Sequence, residues 1–218
     1  MFINIHSHQS LQKNDFVITN LYNHFEQAVA GGSYSVGLHP WYLNEITWVE
    51  EMKALEQYSN NKNVLAVGEC GLDKICTTGF LLQQHVFAAQ IVLANKINKA
   101  LIIHCVKAYE EVVLQLQQNN NRVPVIFHGF NKNKILAQQL VSKGFYLSFG
   151  KAIQLPAIQE LVKILPPDKI FFETDDAGSG IQEIYVLAAQ ALQIDINSLS
   201  LQIKKNAATV FGDAWVTI

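Results

Sequence analysis

Leu101-Ile102-Ile103-His104 and Val125-Ile126-Phe127-His128 are two short apolar runs that each end on a histidine. Runs this brief, rich in Val, Ile and Phe, have the composition of strands buried on both faces. Working outward, four similar runs lie upstream: Phe2 to His6, Phe16 to Leu21, Tyr34 to Leu38 and Val64 to Val67. Two lie downstream, Phe145 to Phe149 and Ile170 to Phe172. Helical patterns separate most of them. Leu82, Val86, Ala89 and Leu93 recur at spacings of four, three and four, and Ile135, Leu136, Leu140 and Val141 predict one helix face. Pro156 to Leu165 reads as a helix stopped by Pro166-Pro167. Gly144 stands at a C-cap position, and two more helices are expected over Ile181 to Leu192 and Ser198 to Phe211.

Alternation of this kind predicts an α/β chain folded as a (β/α)8, TIM-like barrel, with an open doubly wound sheet as the structural rival. Little sequence separates the first three runs: there is no room for a proper helix between His8 and Phe16, and room only for a short one near Asn23 to Ala30. The barrel is therefore expected to be trimmed between strands 1 and 3. A length of 218 residues fits one domain, 1–218.

Half the residues are hydrophobic, enough for a sizeable core. No run approaches the roughly 18 apolar residues of a membrane span, and the start Met1-Phe2-Ile3-Asn4-Ile5-His6 lacks the basic region of a signal peptide. A cytoplasmic protein with no membrane association and no obligate protein partner is expected. A formal net charge of -2 argues against coating nucleic acid by bulk charge. Arg122 is the sole arginine, so a cationic phosphate contact falls to lysine point charges. Cys70, Cys76 and Cys105 form no CxxC pair and read as reduced thiols.

In a βα barrel the chemistry gathers at the C-terminal ends of the strands. The first run ends in His6-Ser7-His8, where residues i and i+2 share a face and both imidazoles can grip one cation. The fourth run leads into Gly68-Glu69-Cys70-Gly71-Leu72-Asp73, a carboxylate between glycines that let backbone approach closely and leave two oxygens for two ions. His104 and His128 follow the fifth and sixth runs. Glu173-Thr174-Asp175-Asp176 follows the eighth, where Glu173 or Asp175 reaches the same mouth. Taken one by one, these are ordinary strand-end histidines and solvated acids. Taken together, His6, His8, Glu69, His104, His128 and Asp175 make a six-ligand set suited to two divalent metal ions (Zn, Mn or Mg), with Asp175 the candidate catalytic proton acceptor.

Lys74, Lys107, Lys132, Lys134 and Lys151 fall just after the ends of strands four to seven. They are either ordinary solvated lysines or a positive rim for a phosphate-bearing substrate, and Lys74 and Lys107 are taken as substrate-binding candidates. Trp41 and Tyr42 are equally readable as core packing and as a surface on which a base stacks.

These motifs, in this order, resemble the TatD family of metal-dependent deoxyribonucleases within the amidohydrolase-like barrels. His6-Ser7-His8 resembles the family's opening HxH, Gly37-Leu38-His39-Pro40 its G-I-H-P, and Gly68 to Asp73 its G-E-I-G-L-D. Ile103-His104-Cys105 resembles I-H-C, His128-Gly129-Phe130 resembles H-C-F, Glu173-Thr174-Asp175 resembles E-T-D, and Asn206 to Gly212 resembles the closing helix. The resemblance implies one metal on His6, His8, Glu69 and Asp175 and a second on Glu69, His104 and His128. It also implies that His39 faces the substrate, and that the reaction is hydrolysis of phosphodiester bonds in DNA or a related substrate. Departures are Asn4 where the family has Asp, Val106 where it has Arg, Asn131 where it has Ser, and Asp176 to Gly180 in place of a proline-bearing loop. The alternatives are an amidohydrolase-type C–N or ester hydrolase, disfavoured by Glu69 where those barrels carry a bridging lysine, and a non-catalytic metal-binding barrel.

Overall fold

The computed structural model describes residues 1–9, 15–29, 32–177 and 180–212. Eight strands, β1 (Ile3–Ser7), β2 (Phe16–Leu21), β3 (Ser33–Val36), β4 (Val64–Asp73), β5 (Ala100–Val106), β6 (Val125–Phe127), β7 (Tyr146–Phe149) and β8 (Ile170–Phe172), follow one another in chain order within one sheet. The pairs β1–β2, β3–β4, β4–β5, β6–β7 and β7–β8 are all parallel. The result is an α/β fold of eight parallel strands in a nearly closed, TIM-like barrel. Seven helices accompany them: α1 (Trp48–Ser59), α2 (Phe80–Ile97), α3 (Tyr109–Gln118), α4 (Lys134–Ser142), α5 (Pro156–Ile164), α6 (Ile181–Leu192) and α7 (Ile196–Phe211). None of the described helices is long and apolar enough to cross a membrane.

Every one of the eight apolar runs is a strand, but β4 and β5 run further than their apolar cores. Glu69 and His104 therefore lie inside strands, not after them. All ten residues of β4 are buried. Its glycines let β5 come close. A Cβ on Gly71, whose φ is +136°, would stand 2.1 Å from the His104 carbonyl oxygen, a distance no side chain survives.

Helices α1 and α3 have no counterpart in the apolar pattern, because each buries only two residues: Leu55 and Ser59 in α1, Val112 and Leu116 in α3. On α4 the buried face belongs to Ala137 and Leu140, while Ile135 is 69% exposed, so the expected stripe is rotated. Gly144 takes a positive φ after α4, as its C-cap position requires. The short helix expected near residue 25 is the 3-10 helix Phe25–Val29.

The chain divides into two compact units, residues 1–19 with 126–217, and residues 20–125. In the first, β1 and β8 are joined at their ends: Asp175 N donates to His6 O at 3.1 Å and His8 N donates to Asp175 O at 3.0 Å. In the second, Leu21, Val36, Leu38, Leu55, Val64 and Val86 form a buried apolar cluster that packs α1 and α2 against the strands.

Candidate metal centre

In the unit of residues 1–19 and 126–217, His6 and His8 meet Asp175. Both Nε2 atoms stand 3.4 Å from Asp175 Oδ1. Asp175 has a φ of +54° and is pinned by its two backbone bonds to β1, which is what aims its carboxylate at the imidazoles. Burial alone would push this carboxyl up, but the hydrogen bonds from His6 and His8 and the charge of His6 and His128 outweigh it and hold Asp175 well below the usual carboxylate range. The His6 and His128 rings lie 4.4 Å apart between centroids. Glu173, fully buried, accepts the Gly129 N–H at 2.7 Å on Oε1 and places the same oxygen 3.3 Å from His128 Nδ1. Two donor triplets result, His6–His8–Asp175 and His128–Glu173–Asp175, each offering ligand atoms within 4.8 Å of one another.

Asn4 has a use of its own. Its amide donates to Thr174 Oγ1 at 2.7 Å and accepts the Thr174 N–H at 3.0 Å, and the Thr174 hydroxyl reaches Ser7 Oγ at 3.1 Å. An amide serves as donor and acceptor at once, which an ionised aspartate cannot. This residue locks the base of β1 to the segment carrying Asp175.

In the unit of residues 20–125, a third triplet forms from His39, Glu69 and His104, all buried. Glu69 Oε1 lies 2.8 Å from His104 Nδ1 and 3.1 Å from His39 Nε2. Its backbone N–H donates to Asn20 Oδ1 at 2.8 Å, and Ser35 Oγ donates to the same oxygen at 3.2 Å. The two histidines differ in kind. His39 Nδ1 accepts the Trp41 N–H at 3.1 Å, so the proton of the neutral ring sits on Nε2, which donates to Glu69. His39 is thereby presented as an N–H donor, not as a lone-pair ligand. His104 has a carboxylate at each ring nitrogen, with Asp73 Oδ2 3.0 Å from Nε2. If Nε2–H is committed to Asp73, Nδ1 is left to face Glu69, the arrangement by which an outer carboxylate orients a ligand imidazole.

Asp73 was given no role by the sequence reading, and Glu173 was weighed against Asp175 but left out of the six-ligand set. Asp73 also accepts the Trp41 indole N–H at 2.6 Å and the Ile75 N–H at 2.8 Å. Burial raises its pKa, yet the bonds from Trp41, His104 and Ile75 keep it below the ordinary value. A signal existed for it: Glu69, Gly71 and Asp73 alternate along one strand face. For Glu173 the signal was its alternation with Asp175.

The donor chemistry fits divalent ions. Imidazoles alternate with carboxylates, and Glu173 Oε2 is buried without a hydrogen-bond partner among the described residues. The thiols do not join in: burial pushes the Cys70 thiol far up, and its Sγ faces the Val67 and Ile102 carbonyls.

The lysines are dispersed. Lys74 is paired with Glu111. Lys107 is exposed just past β5 with a φ of +52°. Lys132 and Lys134 line a groove with Ala157, Glu160 and Leu161 of α5, and none of the metal donors lines it. Of the remaining histidines, His24 is exposed beside Glu26, and His85 is exposed on α2. Residues 178 and 179, in the loop that departs from the family pattern, lie outside the described residues.

The chain matches the model of the TatD-related DNases over residues 13–212. It belongs to that family. Among its relatives, an uncharacterized metal-dependent hydrolase of Buchnera aphidicola (subsp. Baizongia pistaciae) is 32% identical over 146 residues, covering 65% of this chain and 54% of the relative. The 3'-5' ssDNA/RNA exonuclease TatD of Cronobacter turicensis is 28% identical over 163 residues, covering 69% and 59%. The chain thus spans little more than half the length of these relatives. YJJV, a TatD homologue from Escherichia coli K12, superposes with a TM-score of 0.81 at 20% identity, over 96% of this chain and 97% of that one, and so shares its fold.

Proposed function

We propose that this chain is a metal-dependent phosphodiester hydrolase acting on single-stranded nucleic acid, DNA above all. The observation that carries the reading is the pairing of each candidate ligand imidazole with a buried or half-buried carboxylate: His6 and His8 with Asp175, His128 with Glu173, His104 with Glu69 and Asp73. Two divalent cations are proposed as cofactors, with His6, His8, His128 and Asp175 the candidate ligands in one unit and Glu69 and His104 those in the other. Family membership and the name of the Cronobacter exonuclease support this reading.

When bound, the cations supply Lewis acidity that activates a water and offsets phosphoryl charge. The chain's own residues then divide the work. Asp73 and Glu173 orient His104 and His128 by holding one ring nitrogen each. His39, protonated on Nε2, would turn its N–H from Glu69 to a phosphoryl oxygen when substrate binds. Asp175 takes the proton of the attacking water. The hydrogen bonds from His6 and His8 keep it ionised and aimed at the imidazoles. Lys107 and, if Glu111 releases it, Lys74 offer point charges to the phosphate backbone.

Protein loaded with Mn, Mg or Zn is expected to hydrolyse bis-p-nitrophenyl phosphate and single-stranded DNA. Asp175→Asn is expected to lose turnover by roughly 100-fold or more, the usual worth of a positioned proton acceptor. Intact phosphodiesters together with cleaved amides or lactones would overturn the reading.

A further inference from the structure

We propose that Tyr22, Trp41 and Tyr42 form a stacking platform for one unpaired nucleobase, beside the imidazole of His39. This rests on the nuclease reading above and names how the substrate strand is gripped.

The three rings are large, aromatic and exposed: Tyr22 by 38%, Trp41 by 51% and Tyr42 by 57%. They are also held. Tyr42 stacks on Tyr22, with ring centroids 4.9 Å apart and planes at 30°. Trp41 is fixed at three polar points: its N–H donates to His39 Nδ1, its indole N–H donates to Asp73, and its carbonyl accepts the Thr78 hydroxyl at 3.3 Å. Pro40 opens the 3-10 helix Pro40–Tyr42 that carries both rings. An exposed aromatic surface that adds nothing to the core, yet is ordered in advance, is suited to a planar ligand, because little side-chain entropy remains to be lost on binding.

Position selects the ligand. The Trp41 and Tyr42 rings lie 5.0 and 5.4 Å from the His39 ring, and Trp41 lies 5.5 Å from His104. A base on this platform would stand about one nucleotide from a phosphodiester at His39 Nε2. A base in a duplex has both faces stacked already, so an unpaired base is the one that gains here. Stacking is tolerant of base identity, and a tolerant grip suits a chain with a single arginine for directional contacts.

The test uses the full chain in Mn2+ and two labelled, phosphorothioate-linked tetranucleotides, one of thymidine and one with the same backbone without bases. Fluorescence anisotropy is expected to show the thymidine strand binding roughly 5- to 100-fold tighter to the wild type. Tyr42→Ala and Trp41→Ala are expected to bind both strands equally, near the wild-type affinity for the abasic strand. A misfolded variant would lose both affinities, so this pattern separates stacking from collapse. Equal binding of the two strands by the wild type, or a base preference kept in both variants, overturns the platform. If the wild type binds them equally but still cleaves ordinary oligothymidylate, only the platform falls. If it neither binds nor cleaves them while hydrolysing an amide or lactone, the nuclease reading falls and the platform with it.

Discussion

Asp73 Oδ2 stands 3.0 Å from His104 Nε2, across the imidazole from Glu69. Each ring nitrogen of His104 thus faces a carboxylate, and in the proposed metal site Asp73 would hold the ring from behind while Glu69 shares a cation with it. Replacing Asp73 by Asn keeps the shape and removes the charge. Titration calorimetry with Mn or Zn is expected to show affinity falling by roughly 10- to 100-fold, the usual effect of losing the carboxylate behind a ligand histidine. Unchanged affinity would reduce Asp73 to a partner of Trp41 alone.

The same residue sets an acid limb. Its pKa is lower in the folded chain than the ordinary value of 3.8, so the unfolded chain binds the proton more readily. The stabilisation from Asp73 is therefore complete above about pH 4 and is lost as pH falls through the folded pKa. Urea melts of metal-free protein between pH 3 and pH 6 are expected to show the gap between wild type and Asp73→Asn narrowing toward the acid end. A gap that widens there would reverse the sign of the argument.

Asn4 closes β1 onto the Thr174 segment with two buried hydrogen bonds. Asn4→Leu would leave the Thr174 N–H buried and unpaired, at a cost of about 1–3 kcal/mol. Chemical denaturation measures this directly. A neutral result would show that the clamp is dispensable.

Gly71 is the point of closest approach between β4 and β5. Ala there places its Cβ on the His104 carbonyl and takes a φ of +136°, so destabilisation of about 3 kcal/mol or more is expected. Gly79, which has open space around its Cβ position, is the control: Gly79→Ala is expected to melt within about 0.5 kcal/mol of wild type.

Much of the architecture was legible in the chain because buried strands announce themselves as short apolar runs, and eight of them appear. Helices α1 and α3 were not legible, since two buried residues apiece leave almost no period to read. The donor candidates were legible too, because HxH and the histidines ending the fifth and sixth runs are rare coincidences in chemistry-neutral sequence. Asp73 was in view and passed over. Nothing in its spacing says that its oxygens face an indole and an imidazole contributed by residues far away in the chain.

By itself, the order of residues determined which side chains could donate to a cation and which strands they accompany, since alternation and apolar runs are local properties. The roles of those side chains were decided only by tertiary structure. That His39 Nε2 meets Glu69 and that His104 lies between two acids follow from partners 30 to 35 residues apart in the chain. The proton on an imidazole goes where its neighbours leave room for it, and neighbours across a strand are chosen by packing.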